Sequence, residues 1–271
     1  MKKHPIGFLA GLNDEVKNEA PVTVCEVPVQ AKKSVVQVYF PHRSASWAYY
    51  NDSFDLKVGD FVYVEGKLEG YRGQVTEVNY SFKIKLSDYK KVIAVVDTSV
   101  SGDFYLADSH VVSFDRGAIP YSKVISWFKA PTSDEDFVSG DDDTNRFPLD
   151  DLTKMKISHA TAELGHEYYL DNRVAYIEID GTHGHAVVEG RENYEIEFEY
   201  CDGEISNLKC SCFCGGACKH EFAAMLQLKE TLELIAKNYE NEYNGYFAVI
   251  SKRVFINTVM NKKVSKKISL G

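Results

Sequence analysis

The chain has 271 residues, of which 44% are hydrophobic and 26% charged, so it is expected to form one large or two ordinary globular domains. No run approaches about 18 apolar residues, which predicts that the chain does not span a membrane. The net charge of −9 counts against strong non-specific DNA binding, because nucleic-acid binders usually carry an excess of basic residues.

The N-terminal stretch "MKKHPIGFLAGLNDEV" does not have the pattern of a secretory signal. Its apolar run is short, begins directly after Pro5 and is followed at once by acidic residues. We therefore expect a cytoplasmic protein, in which thiols stay reduced.

Residues 34–98 contain four β-rich runs separated by turns: "SVVQVYF", "DFVYVEG", "GQVTEVNYSFKIKL" and "KVIAVVD". The stretch "LKVGDFVYVEGKLEGYRGQVTEV" resembles small SH3-like barrels of the KOW type, whose glycines form the hairpin bends. That resemblance implies a barrel that binds RNA, DNA or protein through aromatic and basic side chains. His42, Arg43, Trp47, Tyr49 and Tyr50 either form such a surface or fill the core of the barrel.

Residues 103–131 are expected to form a strand and then a short helix that covers the barrel. The acidic stretch at 134–143 has the composition of a linker, and Asp141, Asp142 and Asp143 offer carboxylates that could instead bind calcium. Farther along, "THGH" places His183 and His185 beside glycines. We expect turn residues there, with a second zinc site as the alternative.

The stretch "NYEIEFEYCDGEISNLKCSC" predicts two strands joined by a tight turn. Its first part alternates apolar and acidic residues, as in a half-buried strand, and Asp202-Gly203 is a strong hairpin signal. After the cysteines, "EFAAMLQLKETLELIAK" has apolar residues at helical spacing. The predicted local order is strand, turn, strand, cysteines and helix.

Residues 210–220, "CSCFCGGACKH", hold four cysteines and one histidine. Disulfides are unfavourable in a reducing compartment, and the C-x-x-C spacing of redox motifs is missing. Thiolates with an imidazole suit a tetrahedral zinc ion, and Cys210, Cys212, Cys218 and His220 would supply a Cys3His set. The pattern therefore predicts one structural zinc ion.

C-x-C, a short gap, C-x-H and a following helix together resemble the SWIM zinc finger. The upstream segment "GHEYYLDNRVAYIEIDGTHGHAVVEGRENYEIEFEY" is similar to the one that precedes this motif in SWIM-containing helicase-associated proteins. The resemblance covers residues 155–235 and implies a role in contacting nucleic acid or protein. Cys214 departs from the pattern as a spare thiol, which is an alternative to Cys210 or Cys212 as a ligand.

Beyond the helix, "YFAVISKRVFINTVMNKKVSKKISL" predicts two or three short strands with basic turns. Its basic residues either form a solvated face or contact phosphates. They are Lys252, Arg253, Lys262, Lys263, Lys266 and Lys267.

The sequence as a whole predicts a strand-dominated α+β protein. We expect a β-barrel-like domain at 1–130, an acidic linker at 131–147 and a zinc domain at 148–271, in which a ββα SWIM module has flanking strands. Zinc should contribute to folding, because a small ββα unit has little core of its own.

The predicted function is that of a non-enzymatic zinc-binding protein whose finger contacts DNA or RNA. The sequence contains no G-x-x-x-x-G-K-[ST] phosphate loop and no evident catalytic group. The alternative is a subunit that docks onto a helicase-like ATPase or a transposase-like machine.

Overall fold

The computed structural model describes residues 32–107, 110–131, 146–214 and 216–259. These residues fall into two compact units. The first unit comprises residues 32–98 and 122–131, and the second comprises the described parts of 99–121 and 146–259. The domain boundaries predicted from the sequence stay a prediction.

The first unit is built on a five-stranded antiparallel sheet with the order β2-β1-β4-β3-β5. Its strands are β1 (Ser34–Phe40), β2 (Ala45–Asn51), β3 (Phe61–Val64), β4 (Gly73–Asn79) and β5 (Val92–Val95). Along β1 every second residue is buried, so Val36, Val38 and Phe40 point into the core. The four β-rich runs thus form strands, as predicted.

The five-stranded sheet is not the closed barrel that the sequence suggested. Its two edges meet at one isolated bridge between Tyr50 of β2 and Lys91, which directly precedes β5. The Tyr50 N–H donates to the Lys90 carbonyl over 2.9 Å. A barrel requires a continuous ladder between its first and last strands, and a single bridge does not provide one.

The aromatic residues near β2 divide between the core and the surface. Tyr49 and Tyr50 are buried, as the core interpretation predicts. Trp47 remains 40% exposed, and the exposed His42 stacks on Tyr71 with ring centroids 4.2 Å apart. Arg43 is also exposed.

The second unit contains an eight-stranded antiparallel sheet with the order β6-β7-β13-β9-β10-β11-β12-β8. Its strands are β6 (Phe104–Leu106), β7 (Val111–Phe114), β8 (Phe147–Pro148), β9 (Val174–Asp180), β10 (His183–Glu189), β11 (Asn193–Cys201), β12 (Glu204–Cys210) and β13 (Tyr246–Ser251). β13 lies between β7 and β9 and pairs with both. The segment expected to cover a barrel therefore contributes two strands, β6 and β7, to this second sheet.

The described residues contain four α-helices: α1 (Tyr121–Ser126), α2 (His159–Leu170), α3 (Lys219–Tyr239) and α4 (Lys252–Val259). Of the two or three strands predicted over residues 246–270, β13 is formed, whereas Lys252–Val259 form α4 and the residues after Val259 lie outside the described residues. Val254, Phe255, Thr258 and Val259 are buried, and their spacing places them on one side of a helix. None of the helices within the described ranges is long and apolar enough to cross a membrane.

α3 lies across one face of the eight-stranded sheet and forms the main core of the second unit. Ala224, Met225 and Leu228 of the helix share this core with Ile177 and Ile196 of the sheet. The segment after the cysteines is thus part of a large core, which corrects the expectation of a small ββα unit with little core of its own.

Candidate metal centre

The first two cysteines of the cluster lie at the end of the β11–β12 hairpin. Asp202 and Gly203 form its turn with φ angles of 50° and 84°, which suit the left-handed positions of a type I′ turn. The ladder continues to the pair Ile196–Cys210, so Cys210 closes β12 and Cys212 follows two residues later. The predicted hairpin and its turn are confirmed.

The N-terminus of α3 supplies the other two side chains. Cys218 is the N-cap, and its Sγ accepts a hydrogen bond from the Glu221 N–H over 3.4 Å. In return the Cys218 N–H donates to Glu221 Oε2 over 2.7 Å, which completes a capping box. His220 lies in the first turn of the helix and is buried.

The side chains of Cys210, Cys212, Cys218 and His220 converge, and their ligand atoms all lie within 4.8 Å of one another. His220 Nδ1 is 3.7 Å from Cys218 Sγ and 3.9 Å from Cys210 Sγ. In a tetrahedral site with Zn–S bonds of about 2.3 Å and Zn–N bonds of about 2.0 Å, sulfur and nitrogen are about 3.5 Å apart. These four residues, which are the set inferred from the sequence, could therefore hold a metal ion.

Aromatic packing orients the imidazole of His220. Tyr194 stacks on it with centroids 4.1 Å apart, and Tyr168 meets it edge-on at 5.5 Å. Nε2 is buried and has no hydrogen-bond partner, whereas Nδ1 faces the sulfurs. A Cβ atom at Gly190 would lie 2.9 Å from the Tyr194 ring and 3.4 Å from Nε2, so a glycine is needed for this packing.

The sulfur atoms of Cys210 and Cys218 lie within 4.8 Å of each other, and the interaction between the two thiols shifts their pKa values in opposite directions. It lowers the pKa of Cys218 to about 4, because the Cys210 S–H stabilises the Cys218 thiolate. The same contact raises the pKa of Cys210 far above its usual value. Burial is the main reason that the pKa of Cys212 rises to about 12. Without a metal the cluster therefore holds one thiolate, and a metal ion would displace the remaining protons.

Cys214 lies outside the cluster. Its side chain is exposed, and its backbone N–H donates to the Cys212 carbonyl over 2.9 Å. This hydrogen bond closes a turn centred on Phe213, whose side chain is fully exposed at 109% of its reference area. The structure thus separates the spare thiol from the four converging side chains.

The upstream histidines do not form a second centre. His183 and His185 lie on β10 and not in a turn, because the turn is formed by Gly181 and Thr182. His185 Nδ1 is 3.3 Å from a carboxylate oxygen of Glu178. Across the described ranges, the Cys3His group is the one cluster of three or more such side chains close enough to share a metal ion.

The predicted nucleic-acid contacts are only partly within the described residues. Lys252 and Arg253 begin α4, and the Arg253 guanidinium pairs with Glu189. Lys262, Lys263, Lys266 and Lys267 lie outside the described residues, as do the aspartates at 141–143.

A cationic and aromatic group that the sequence analysis missed lies next to the cluster. Lys219 Nζ is 4.9 Å from the centroid of the Tyr168 ring, and Arg173 Cζ is 4.7 Å from it. The Arg173 side chain also contacts Asp171 over 3.2 Å. Sequence alone could not reveal this group, because its members come from α2, the loop before β9 and α3.

No protein-family model, curated protein or solved structure matches this chain. The fold and the cluster together define a strand-dominated α+β protein with a candidate Cys3His metal centre.

Proposed function

We propose that this chain is a non-enzymatic zinc-binding protein whose finger, which resembles the SWIM type, contacts nucleic acid. The observation that carries the proposal is the convergence of three thiols and one imidazole within 4.8 Å. This soft donor set suits zinc better than calcium or magnesium, which prefer oxygen ligands.

The proposed zinc has a structural role. Four protein ligands complete a tetrahedral site and leave no position for a reactive water molecule. The metal would instead fix the end of the β11–β12 hairpin against the N-terminus of α3.

Nucleic-acid contact is supported by the finger surface, which we define as Tyr168, Arg173, Phe213 and Lys219. Phe213 is fully exposed, so a base could stack on it without any rearrangement of the protein. Lys219 and Arg173 supply positive charge beside an aromatic ring, an arrangement that suits an unpaired strand. The C-terminal lysines would add contacts to the phosphates.

The metal is tested first, by elemental analysis of the purified wild type and of Cys218→Ser. We expect one zinc per wild-type chain and loss of zinc from the variant. Cys214→Ser is the matched control, and it should keep its zinc because Cys214 lies outside the cluster. A folded wild-type protein without zinc would contradict the proposal.

Nucleic-acid contact is tested by fluorescence anisotropy with single-stranded DNA and RNA. Phe213→Ala should weaken binding by about 1–3 kcal/mol, the usual contribution of one stacked base. Lys219→Glu should weaken binding as well. The control Lys237→Glu makes the same change of charge at an exposed position late in α3 and should leave binding unchanged. If the wild type, Phe213→Ala and Lys219→Glu bound equally well, the finger surface would not be part of the nucleic-acid interface.

Protein docking is the second candidate function, and the same exposed Phe213 favours it when considered with the net charge of −9. An apolar side chain of this kind can enter a pocket on a partner such as a helicase-like ATPase. The two functions differ in salt dependence, because binding to phosphates weakens steeply as salt rises. A specific partner that is retained at high salt after nuclease treatment would favour docking.

A further inference from the structure

The spare thiol and one member of the metal cluster lie within reach of each other. Cys214 is exposed and outside the cluster, whereas Cys212, two residues earlier, belongs to it. Only Phe213 separates the two cysteines along the chain. The exposed Cys214 thiol is open to oxidants, and a second cysteine lies two residues away.

The backbone between these cysteines favours a disulfide. In an extended chain, the Cα atoms of residues two positions apart are about 7 Å from each other. This distance is longer than the Cα–Cα distance in most disulfides. Here the Cys214 N–H donates to the Cys212 carbonyl over 2.9 Å and bends the chain at Phe213. This turn shortens the span toward the range of about 4.4–6.8 Å that disulfides require.

We propose that Cys214 is an oxidation site, at which a peroxide leads to a Cys212–Cys214 disulfide and to release of the metal ion. The inference rests on the proposed metal site but not on contact with nucleic acid.

The chemistry requires a peroxide and two thiolates. The Cys214 thiolate attacks one peroxide oxygen, the O–O bond breaks, and Cys214 becomes a sulfenic acid as hydroxide leaves. The Cys212 thiolate then attacks the Cys214 sulfur, which forms the S–S bond and expels a second hydroxide. In sum, two thiols lose two electrons and hydrogen peroxide is reduced to two molecules of water.

The consequence for the metal follows from the number of donors. Once Cys212 is in the disulfide, only Cys210, Cys218 and His220 remain, and a closed tetrahedral site needs four ligands. The zinc ion would then be held more weakly and would leave to a competing chelator.

Cys201 offers a matched control, because it is also an exposed thiol in the same unit. Its Sγ contacts the Asp202 carboxylate over 3.6 Å, and this negative charge raises the pKa of Cys201. Cys201 is not part of the cluster, so its replacement should leave both the zinc and its release unchanged.

The experiment treats full-length, zinc-loaded protein with hydrogen peroxide and follows zinc release with a coloured chelator. Peptide mapping by mass spectrometry then identifies the disulfide. We expect the wild type and Cys201→Ser to release zinc at the same rate with a Cys212–Cys214 bond, and a reductant to restore binding of added zinc. Cys214→Ser should bind zinc normally and release it several-fold more slowly.

Release from Cys214→Ser at the wild-type rate would overturn the inference, as would a disulfide that does not include Cys214. If the proposal of a metal site is itself wrong, the result is different: the purified wild-type protein contains no zinc. The disulfide can still be mapped in that case, and its absence after peroxide treatment would also overturn the inference.

Discussion

At position 220 the neighbouring side chains fix the orientation of the imidazole ring. Tyr194 covers one face, Tyr168 meets the ring edge-on, and Gly190 leaves room beside Nε2. Nδ1 therefore points at the sulfurs. A ligand held in this way loses little conformational freedom on binding, which favours affinity.

Zinc binding should release about two protons per ion near pH 7, because thiol ligands bind metals as thiolates. The pKa of Cys218 is lowered to about 4, so this group is already deprotonated. The pKa of Cys212 is raised to about 12 and that of Cys210 is raised further, so both lose protons to the metal. Affinity should accordingly rise with pH through neutrality.

Calorimetry in buffers of different ionisation enthalpy measures this proton release. Cys214→Ser is the control and should release the same number of protons, because Cys214 lies outside the cluster. Zinc binding without proton release would show that the thiols are already ionised.

At the scale of the elements, α2 and α3 are held close together beside the cluster. A Cβ atom at Gly165 of α2 would lie 2.8 Å from the Lys219 carbonyl oxygen and 2.9 Å from Phe222 Cβ. A backbone carbonyl of a helix cannot move aside as a flexible side chain can. The glycine thus permits a helix contact at the turn of α3 that carries His220.

Gly165→Ala should destabilise the second unit, although alanine is the better helix former. The gain in helix propensity is about 1 kcal/mol, whereas overpacking at a rigid contact costs about 1–3 kcal/mol, so we expect a net loss of up to about 2 kcal/mol. Thermal unfolding of the zinc-loaded protein measures the change. Glu163→Ala, at an exposed position on the same helix, should leave the melting temperature nearly unchanged.

The local elements around the cysteines were predictable because their signals are adjacent in the sequence. Asp202-Gly203 marks the hairpin turn, and the spacing after His220 marks α3. The position of β13 between β7 and β9 was not predictable, because it depends on pairing between distant segments. α4 was missed because its β-branched residues favour strands. The segment forms a helix, which buries the residues on one of its sides.

The site shows the same division between local and distant signals. The four converging residues follow from their types and spacing within one short segment. Tyr168 and Tyr194, which pack against His220, are 52 and 26 residues away from it in the sequence and meet it only through the fold. Tyrosine is also too common in this chain, at 17 residues, for any one of them to stand out.

At the scale of the whole molecule, the candidate metal centre adjoins a larger core. Small zinc fingers unfold without metal because they bury little apolar surface. Here α3 buries Ala224, Met225 and Leu228 against the eight-stranded sheet, and these contacts do not depend on the metal. Metal removal should therefore have a local effect.

Chelation of zinc should loosen residues 210–220 and the first turn of α3 while the two sheets persist. Hydrogen exchange measured by mass spectrometry checks this, with faster exchange expected in that segment only. Peptides from the five-stranded sheet serve as an internal reference, because they belong to the other unit. Global loss of protection in the second unit would show instead that zinc is required for its fold.

The central position of β13 has a consequence for synthesis. β7 and β9 both leave the ribosome long before Tyr246–Ser251, the strand that pairs with each of them. Until then each presents an unpaired, apolar edge, and such edges can pair with other chains. The nascent chain therefore passes through an aggregation-prone interval, which ends only when β13 inserts and joins the two halves of the sheet.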